Sequence, residues 1–210
     1  SIDTGKMMDA FARKAREAGV QFYTQTDVLH YVEQANGVEV AVSTAEGTLQ
    51  LMADQLALCT NAFTKALLPE ADLVPGRGMV IVTKPLKWAP PRGTFHYHSG
   101  YNYFRNAGNR ILLGGARHLD LKGEATTQEG INSRLESQLK EDLKSFIAPE
   151  RPLEVDYAWS GIMAFGEGKS PLLLHPSPRV HAAVRLGGMG VALGTGLGKE
   201  LALHLGATMS

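Results

Sequence analysis

Apolar and polar positions change their period several times along the 210-residue chain, and each change marks an element. Near the start, Met7, Met8, Phe11, Ala15 and Ala18 recur on one helical face, with Asp3 or Thr4 placed to cap the helix and Gly19 to stop it. Residues 20–24 then read as a strand. Alternation over residues 27–34 and 37–43, joined at Asn36-Gly37, predicts a hairpin, because Asn-Gly suits the turn that two twisted strands need. A further strand is expected over residues 48–52, after the Glu46-Gly47 turn. Residues 55–59 lose polar alternation after Gln55, which predicts a strand buried on both faces with Cys59 as an inert core thiol. Residues 61–68 read as a short helix ended by Pro69.

The character changes at Val74-Pro75-Gly76-Arg77-Gly78-Met79. Strands are expected over residues 79–83, 93–98, 101–105 and 110–116, the last two joined as a hairpin through residues 106–109. Thr126 and Glu129 form a capping-box pattern ahead of Ile131, Leu135, Leu139 and Leu143, so a long amphipathic helix is predicted to open at residue 126 and close before Pro149. Strands follow over residues 153–159, 172–174 and 180–184, then a last helix over residues 191–205. The order is helix, sheet, a strand-rich insert with one covering helix, then strand, glycines and helix. It predicts one domain from residues 1–73 with 160–210, and a second from residues 74–159.

A hydrophobic content of 44% supports one substantial core or two small ones. Lys and Arg number 21 and balance 21 Asp and Glu, so no electrostatic case exists for nucleic acid or an anionic membrane surface. A single cysteine excludes an intrachain disulfide framework and suits a reducing cytosol, so a cytoplasmic protein is expected. The uncharged run over residues 186–198 is too short and too rich in glycine for a membrane span. The first residues lack an apolar leader and are helical in pattern almost at once, which suggests that the N-terminal part of a longer protein lies outside these residues.

Three features could carry chemistry. The first is the glycine-rich run over residues 185–199. Gly188 and Gly190 fit G-x-G-x-x-G, but Leu193 takes the third place; Gly198-Lys199 fits a phosphate-binding loop, but Leu193 and Glu200 break it. The run either approaches a phosphate or planar ring, or merely permits close helix–strand packing. The second is Tyr101, Tyr103 and Arg105, which would share one strand face and could clamp a carboxylate, or be aromatic cross-strand pairs with a surface Arg. The third is His96 and His98; no third ligand stands at a typical spacing, so no metal site is expected.

Taken in order, the segments resemble the FAD-dependent amino acid oxidase family, which includes D-amino acid oxidase, glycine oxidase and sarcosine oxidase. The resemblance is carried by residues 2–20, Thr26-Asp27-Val28, residues 53–62, Pro75 to Met79, Tyr101 to Arg105, residues 111–117, Trp159 to Met163 and Gly187 to Gly190. It implies a mixed α/β chain: part of a glutathione-reductase-like FAD domain plus a substrate domain with a mixed β-sheet. It implies FAD as cofactor and an amino acid or amine as the small-molecule substrate. A hydride would pass to flavin N5, and the imine would hydrolyse to a 2-oxo acid. Residue by residue it assigns the cofactor side to Val28, Thr60, Asn61, Ala62, Gly161, Gly187, Gly188, Met189, Gly190 and Val191. It assigns the substrate side to Tyr101 or Tyr103, with Arg105 and Arg117 as candidate carboxylate partners. Met163 stands where many members carry an Arg that grips the carboxylate. The family's N-terminal ADP-binding turn has no counterpart in these residues, so the chain alone is expected to be inactive. The alternative is a non-catalytic ligand-binding module derived from the family.

Overall fold

The computed structural model describes residues 2–208, which divide into two compact units, one of residues 2–73 with the chain from Phe165 onward, the other Val74–Ala164. In the first unit, helix α1 (Thr4–Glu17) starts at Asp3, whose Oδ1 accepts the Lys6 N–H at 3.1 Å, and stops ahead of Gly19 at φ +89°. Its apolar face lies where the periodicity predicts, yet none of its residues is buried. Residues 20–24 do not form the expected strand: apolar content gives no ladder without a neighbouring strand to take the hydrogen bonds.

Strands β1 (Asp27–Gln34), β2 (Gly37–Thr44) and β3 (Gly47–Ala53) form the predicted antiparallel meander with β2 in the centre. Val38, Val40 and Val42 of β2 are buried, whereas β1 and β3 are largely exposed. Strand β4 (Leu56–Leu58) is short, and a 3-10 turn over Asn61–Ala66 replaces the expected α-helical turn.

The second unit is built on a five-stranded sheet of β5 (Val74–Thr83), β6 (Thr94–Tyr97), β7 (Asn102–Ala107), β8 (Arg110–Gly115) and β9 (Val155–Phe165), in the order β6-β7-β8-β5-β9. Helix α2 (Ser133–Asp142), continued by a π turn over Leu143–Ile147, covers one face. Met79, Ile81, Ile111 and Leu113 meet Leu135, Leu139, Leu143 and Ile147 there, all at most 8% exposed. Each fully buried Leu contributes about 2 kcal/mol, so the every-fourth-residue leucines set where the helix docks. The helix cap lies six residues later than the capping-box pattern predicts. Gly130 sits at φ +147°, outside any helix, and Asn132 is the true cap, accepting from the N–H groups of Arg134 and Leu135. Thr126 Oγ1 instead accepts from Gln128 N in a local turn. Strand β9 runs unbroken past residue 159, and the units divide after Ala164 rather than at 159/160.

The Asp142 carboxylate is buried between α2 and this sheet. Asp142 accepts from the Tyr97 hydroxyl at 2.6 Å, Asn102 Nδ2 at 3.1 Å and Gln138 Nε2 at 2.8 Å, while Asn102 Oδ1 accepts from Ala116 N at 2.9 Å. Burial, with the Asp142 hydrogen bond adding to it, pushes the Tyr97 phenol well above the usual tyrosine range.

The chain returns to the first unit with β10 (Leu172–Ser177), β11 (Val180–Val184) and helix α3 (Gly190–Thr208). Strand β11 is buried at every position, antiparallel to β10 and parallel to β4, so the sheet is mixed and the chain is of the mixed α/β class. Strand β4 is its edge, which is why Leu58 alone of that run is buried and Cys59 is exposed rather than a core thiol. Among the described residues, no helix is long and apolar enough to cross a membrane.

Candidate functional site

Strands β4 and β11 run parallel, so their carboxyl ends open side by side. In open α/β sheets the crevice outside such ends is where ligands sit. Beyond β4 the chain passes through Thr60 to Asn61, at φ +44°, a left-handed conformation that Asn tolerates better than most residues. Beyond β11 it turns through Arg185 (φ +62°), Gly187 (φ +55°) and Gly188 (φ +78°) into α3. Asn61 ties the two turns together: its Oδ1 accepts from Arg185 N at 3.1 Å and from Leu186 N at 3.3 Å. Thr64, fully buried, donates to the Asn61 carbonyl at 2.8 Å and pairs with the Thr60 hydroxyl at 3.0 Å. Ala62 is 2% exposed beneath them.

The second turn is held from its other side by Arg185. Its guanidinium donates to the Ser170 carbonyl from Nε and Nη2, and to the Asp72 carbonyl and carboxylate from Nη1. Nothing in the local sequence singles out Arg185, because its partners lie 15 and 113 residues away. Fixed in this way, the turn presents Gly187 to open space. A Cβ at Gly187 would touch nothing within 4 Å, and Met189 and Val191 are about half exposed. The first turn of α3 adds the positive end of a helix dipole. Alongside runs an apolar groove of about 460 Å³ between Met7, Met8 and Phe11 of α1 and Val191, Gly194 and Thr195 of α3. Thr60, Asn61, Ala62 and residues 187–191 are thus brought together. Val28 lies on β1, in the separate three-stranded sheet. Gly161 lies on β9, in the unit Val74–Ala164.

The unit Val74–Ala164 has its own candidate surface, the sheet face opposite α2. Asn102 and Phe104 point toward the α2 side, so alternation puts Tyr103 and Arg105 on the opposite face. Tyr103 pairs across β7–β8 with Gly114 and across β6–β7 with His96. Its ring lies flat over Gly114, where a Cβ would stand 2.6 Å from the phenol carbon and oxygen. Desolvation raises the Tyr103 pKa, with Arg105 offsetting part of the effect, so the hydroxyl is a protonated donor at neutral pH. The Arg105 guanidinium donates to the Asn106 carbonyl at 3.3 Å and is only partly buried. Met163 lies on the same face, its side chain over Gly78.

Tyr101 does not join this face as expected. Strand β7 starts at Asn102, whose buried amide is committed to Asp142 and Ala116, and Tyr101 turns away with its ring 4.9 Å from that of His118. The pair His96 and His98 is likewise split, because β6 ends at Tyr97 and His98 sits in the following turn at φ +48°. Arg117 lies on the turn after β8, where desolvation lowers its pKa against the opposing influence of Tyr101 and Glu124. A phenol donor and a guanidinium two residues apart on one strand face can take a carboxylate between them.

A family model described as FAD dependent oxidoreductase (DAO) matches residues 1–203. No curated protein matches the chain. Among solved structures it is similar to L-proline dehydrogenase from P. horikoshii, at 17% identity and TM-score 0.72, covering 90% of this chain and 51% of that one. It is also similar to glycine oxidase from Bacillus cereus ATCC 14579, at 16% identity and TM-score 0.72, covering 92% and 53%. Iminodiacetate oxidase from Chelativorans sp. BNC1 matches at 16% identity and TM-score 0.70, covering 89% and 50%. The chain therefore spans about half the length of these structures, and at such identities the likeness is one of fold.

Proposed function

The chain belongs to the FAD dependent oxidoreductase (DAO) family, and from that premise we propose that it is the C-terminal portion of an enzyme that oxidises the C–N bond of an amino acid or secondary amine. In this reading the unit of residues 2–73 with the chain from Phe165 holds the flavin end of FAD, and the unit Val74–Ala164 binds substrate. The observation that carries the reading is the Asn61 clamp, which fastens the two turns at the parallel strand ends. The residues there fit the flavin end: two consecutive left-handed glycines, open space at Gly187, and a helix N-terminus suited to negative charge. When bound, FAD supplies the two-electron acceptor that amine oxidation needs.

The chain's own residues then bind and orient. Arg105 would pair with the substrate carboxylate, and the Tyr103 hydroxyl would donate to the same group. Met163 is apolar and cannot serve as that partner, which favours Arg105 on the same face. The names of the structural relatives, proline, glycine and iminodiacetate enzymes, support an amino carboxylate as the substrate class. The imine product would hydrolyse in water to a 2-oxo acid and an amine.

The test is the enzyme expressed from its complete reading frame, assayed against amino acids and N-methyl amines. A hydrogen-bonded charge pair is worth about 1.5–3 kcal/mol, so Arg105→Ala should lower kcat/KM by about 10- to 150-fold, chiefly through KM. Tyr103→Phe should lower it less. Unchanged kcat/KM in both variants would remove these residues from substrate binding.

A further inference from the structure

Three histidines converge in the unit of residues 2–73 and 165 onward, away from the turns described above. His175 on β10, His181 on β11 and His204 on α3 each offer a ring nitrogen within 4.8 Å of the other two. The Nδ1 atoms of His175 and His181 face each other at 2.9 Å. His204 stacks on His175 with ring centroids 3.7 Å apart and lies 5.1 Å from His181. Their sequence separations, 6 and 23 residues, match no local metal motif, and only the packing of α3 on the β10–β11 hairpin brings them together.

Two properties separate this cluster from a stack of surface rings. His181 is 1% exposed, and its Nε2 is buried without a hydrogen-bond partner. The cluster is open on one side, along a cavity of about 570 Å³ lined by the three rings with Ser177 and Pro178. Beside it, Ser177 Oγ donates to the Glu33 carboxylate.

We propose that His175, His181 and His204 form a binding site for a divalent transition-metal ion of the Zn²⁺ class. Neutral imidazole is a preferred ligand for such ions, and three of them leave a fourth position toward solvent. Zn–N bonds of about 2.0–2.1 Å put two ligand nitrogens roughly 3.3 Å apart in a tetrahedral site. The 2.9 Å pair opens slightly to reach that spacing, and His204 closes from at most 4.8 Å by side-chain rotation. The ion would staple α3 to β10 and β11, the strands that lead into the candidate flavin turn.

The test uses untagged protein freed of metal by chelation and titrated with Zn²⁺ or Co²⁺ at pH 7.5. One equivalent should bind per chain, Co²⁺ should show the intense visible bands of a tetrahedral site, and Zn²⁺ should raise Tm. His204→Gln and His175→Gln, both at positions not fully buried, should each weaken Zn²⁺ binding by at least about 10- to 100-fold, the loss typical even of an outer-shell partner. His96→Gln should leave it unchanged. If His204→Gln fails to fold by circular dichroism, the exposed His175→Gln carries the test alone. Absence of stoichiometric binding, or binding indifferent to both substitutions, overturns the proposal.

Discussion

Asn61 does two jobs whose energies can be separated. Its side chain satisfies the N–H groups of Arg185 and Leu186, and its backbone sits at φ +44°. Each hydrogen bond contributes about 1 kcal/mol net, so Asn61→Gly, which keeps the backbone free, should loosen the turn by about 2 kcal/mol. Asn61→Ala loses the same bonds and adds about 1 kcal/mol for a left-handed alanine, about 3 kcal/mol together. Asn61→Asp keeps both the acceptor and the tolerance for this backbone, and should stay close to wild type. The assay is amide hydrogen exchange read by NMR at Arg185 and Leu186. With tenfold per 1.4 kcal/mol, local opening should speed exchange about 30-fold in the glycine variant and about 150-fold in the alanine variant. Wild-type exchange at both amides in Asn61→Gly would refute the idea that this side chain holds the two turns together, and would remove the main support for the flavin reading.

Two further predictions concern the unit Val74–Ala164, where both tryptophans, Trp88 and Trp159, report unfolding by fluorescence. Gly114→Ala places a methyl 2.6 Å from the Tyr103 ring and should cost about 1–3 kcal/mol in a urea melt, whereas in a Tyr103→Ala background it should be nearly neutral; equal costs in both backgrounds would show that the ring does not lie over Gly114. The second is acid sensitivity at Glu124, which is 0% exposed and takes two 2.9 Å bonds from Arg77, from Nε and Nη2. The Arg77 hydrogen bonds hold its carboxyl below the ordinary value of 4.5, against the opposing pull of burial. A folded value below the unfolded one means the stabilisation is fully present above about pH 4.5 and is lost as pH falls through the folded value. Glu124→Gln should therefore flatten the acid limb of a stability–pH curve, and a curve parallel to wild type would rule the pair out as its source.

Local chemistry carried much of the fold. The Asp3 cap and Gly19 stop of α1 and the four-residue leucine repeat of α2 form where the pattern predicts, and so does the hairpin of β1 and β2, although Gln34 pairs with Gly37 and its two-residue loop is Ala35-Asn36 rather than Asn36-Gly37. The caps and the hairpin rest on contacts a few residues apart, whereas for the leucines only the spacing is local and the surface they pack on is distant in sequence. The misplaced start of α2 shows the limit: two capping patterns compete within seven residues, and the left-handed backbone of Gly130 decides for Asn132. Strand expectations failed where a partner was needed. Residues 20–24 have strand composition but no ladder, and β4 looked doubly buried because its sequence cannot tell that it forms the edge of its sheet.

The candidate sites divide along the same line. Alternation along β7 is a property of the chain, so Tyr103 and Arg105 on one face follow from sequence, as does the glycine run before α3. Tyr101 leaves that face because Asn102 is drawn inward by Asp142, 40 residues away. By itself the sequence determined the periodicities, the turn residues and the order of segments that marks the family. Only the tertiary structure decided that Asn61 would bind the backbone 124 residues on, that Arg185 would brace it, and that His175, His181 and His204 would share one corner. Those arrangements depend on which strands become neighbours and on which edge, and neighbourhood is set by long-range burial that no local pattern encodes.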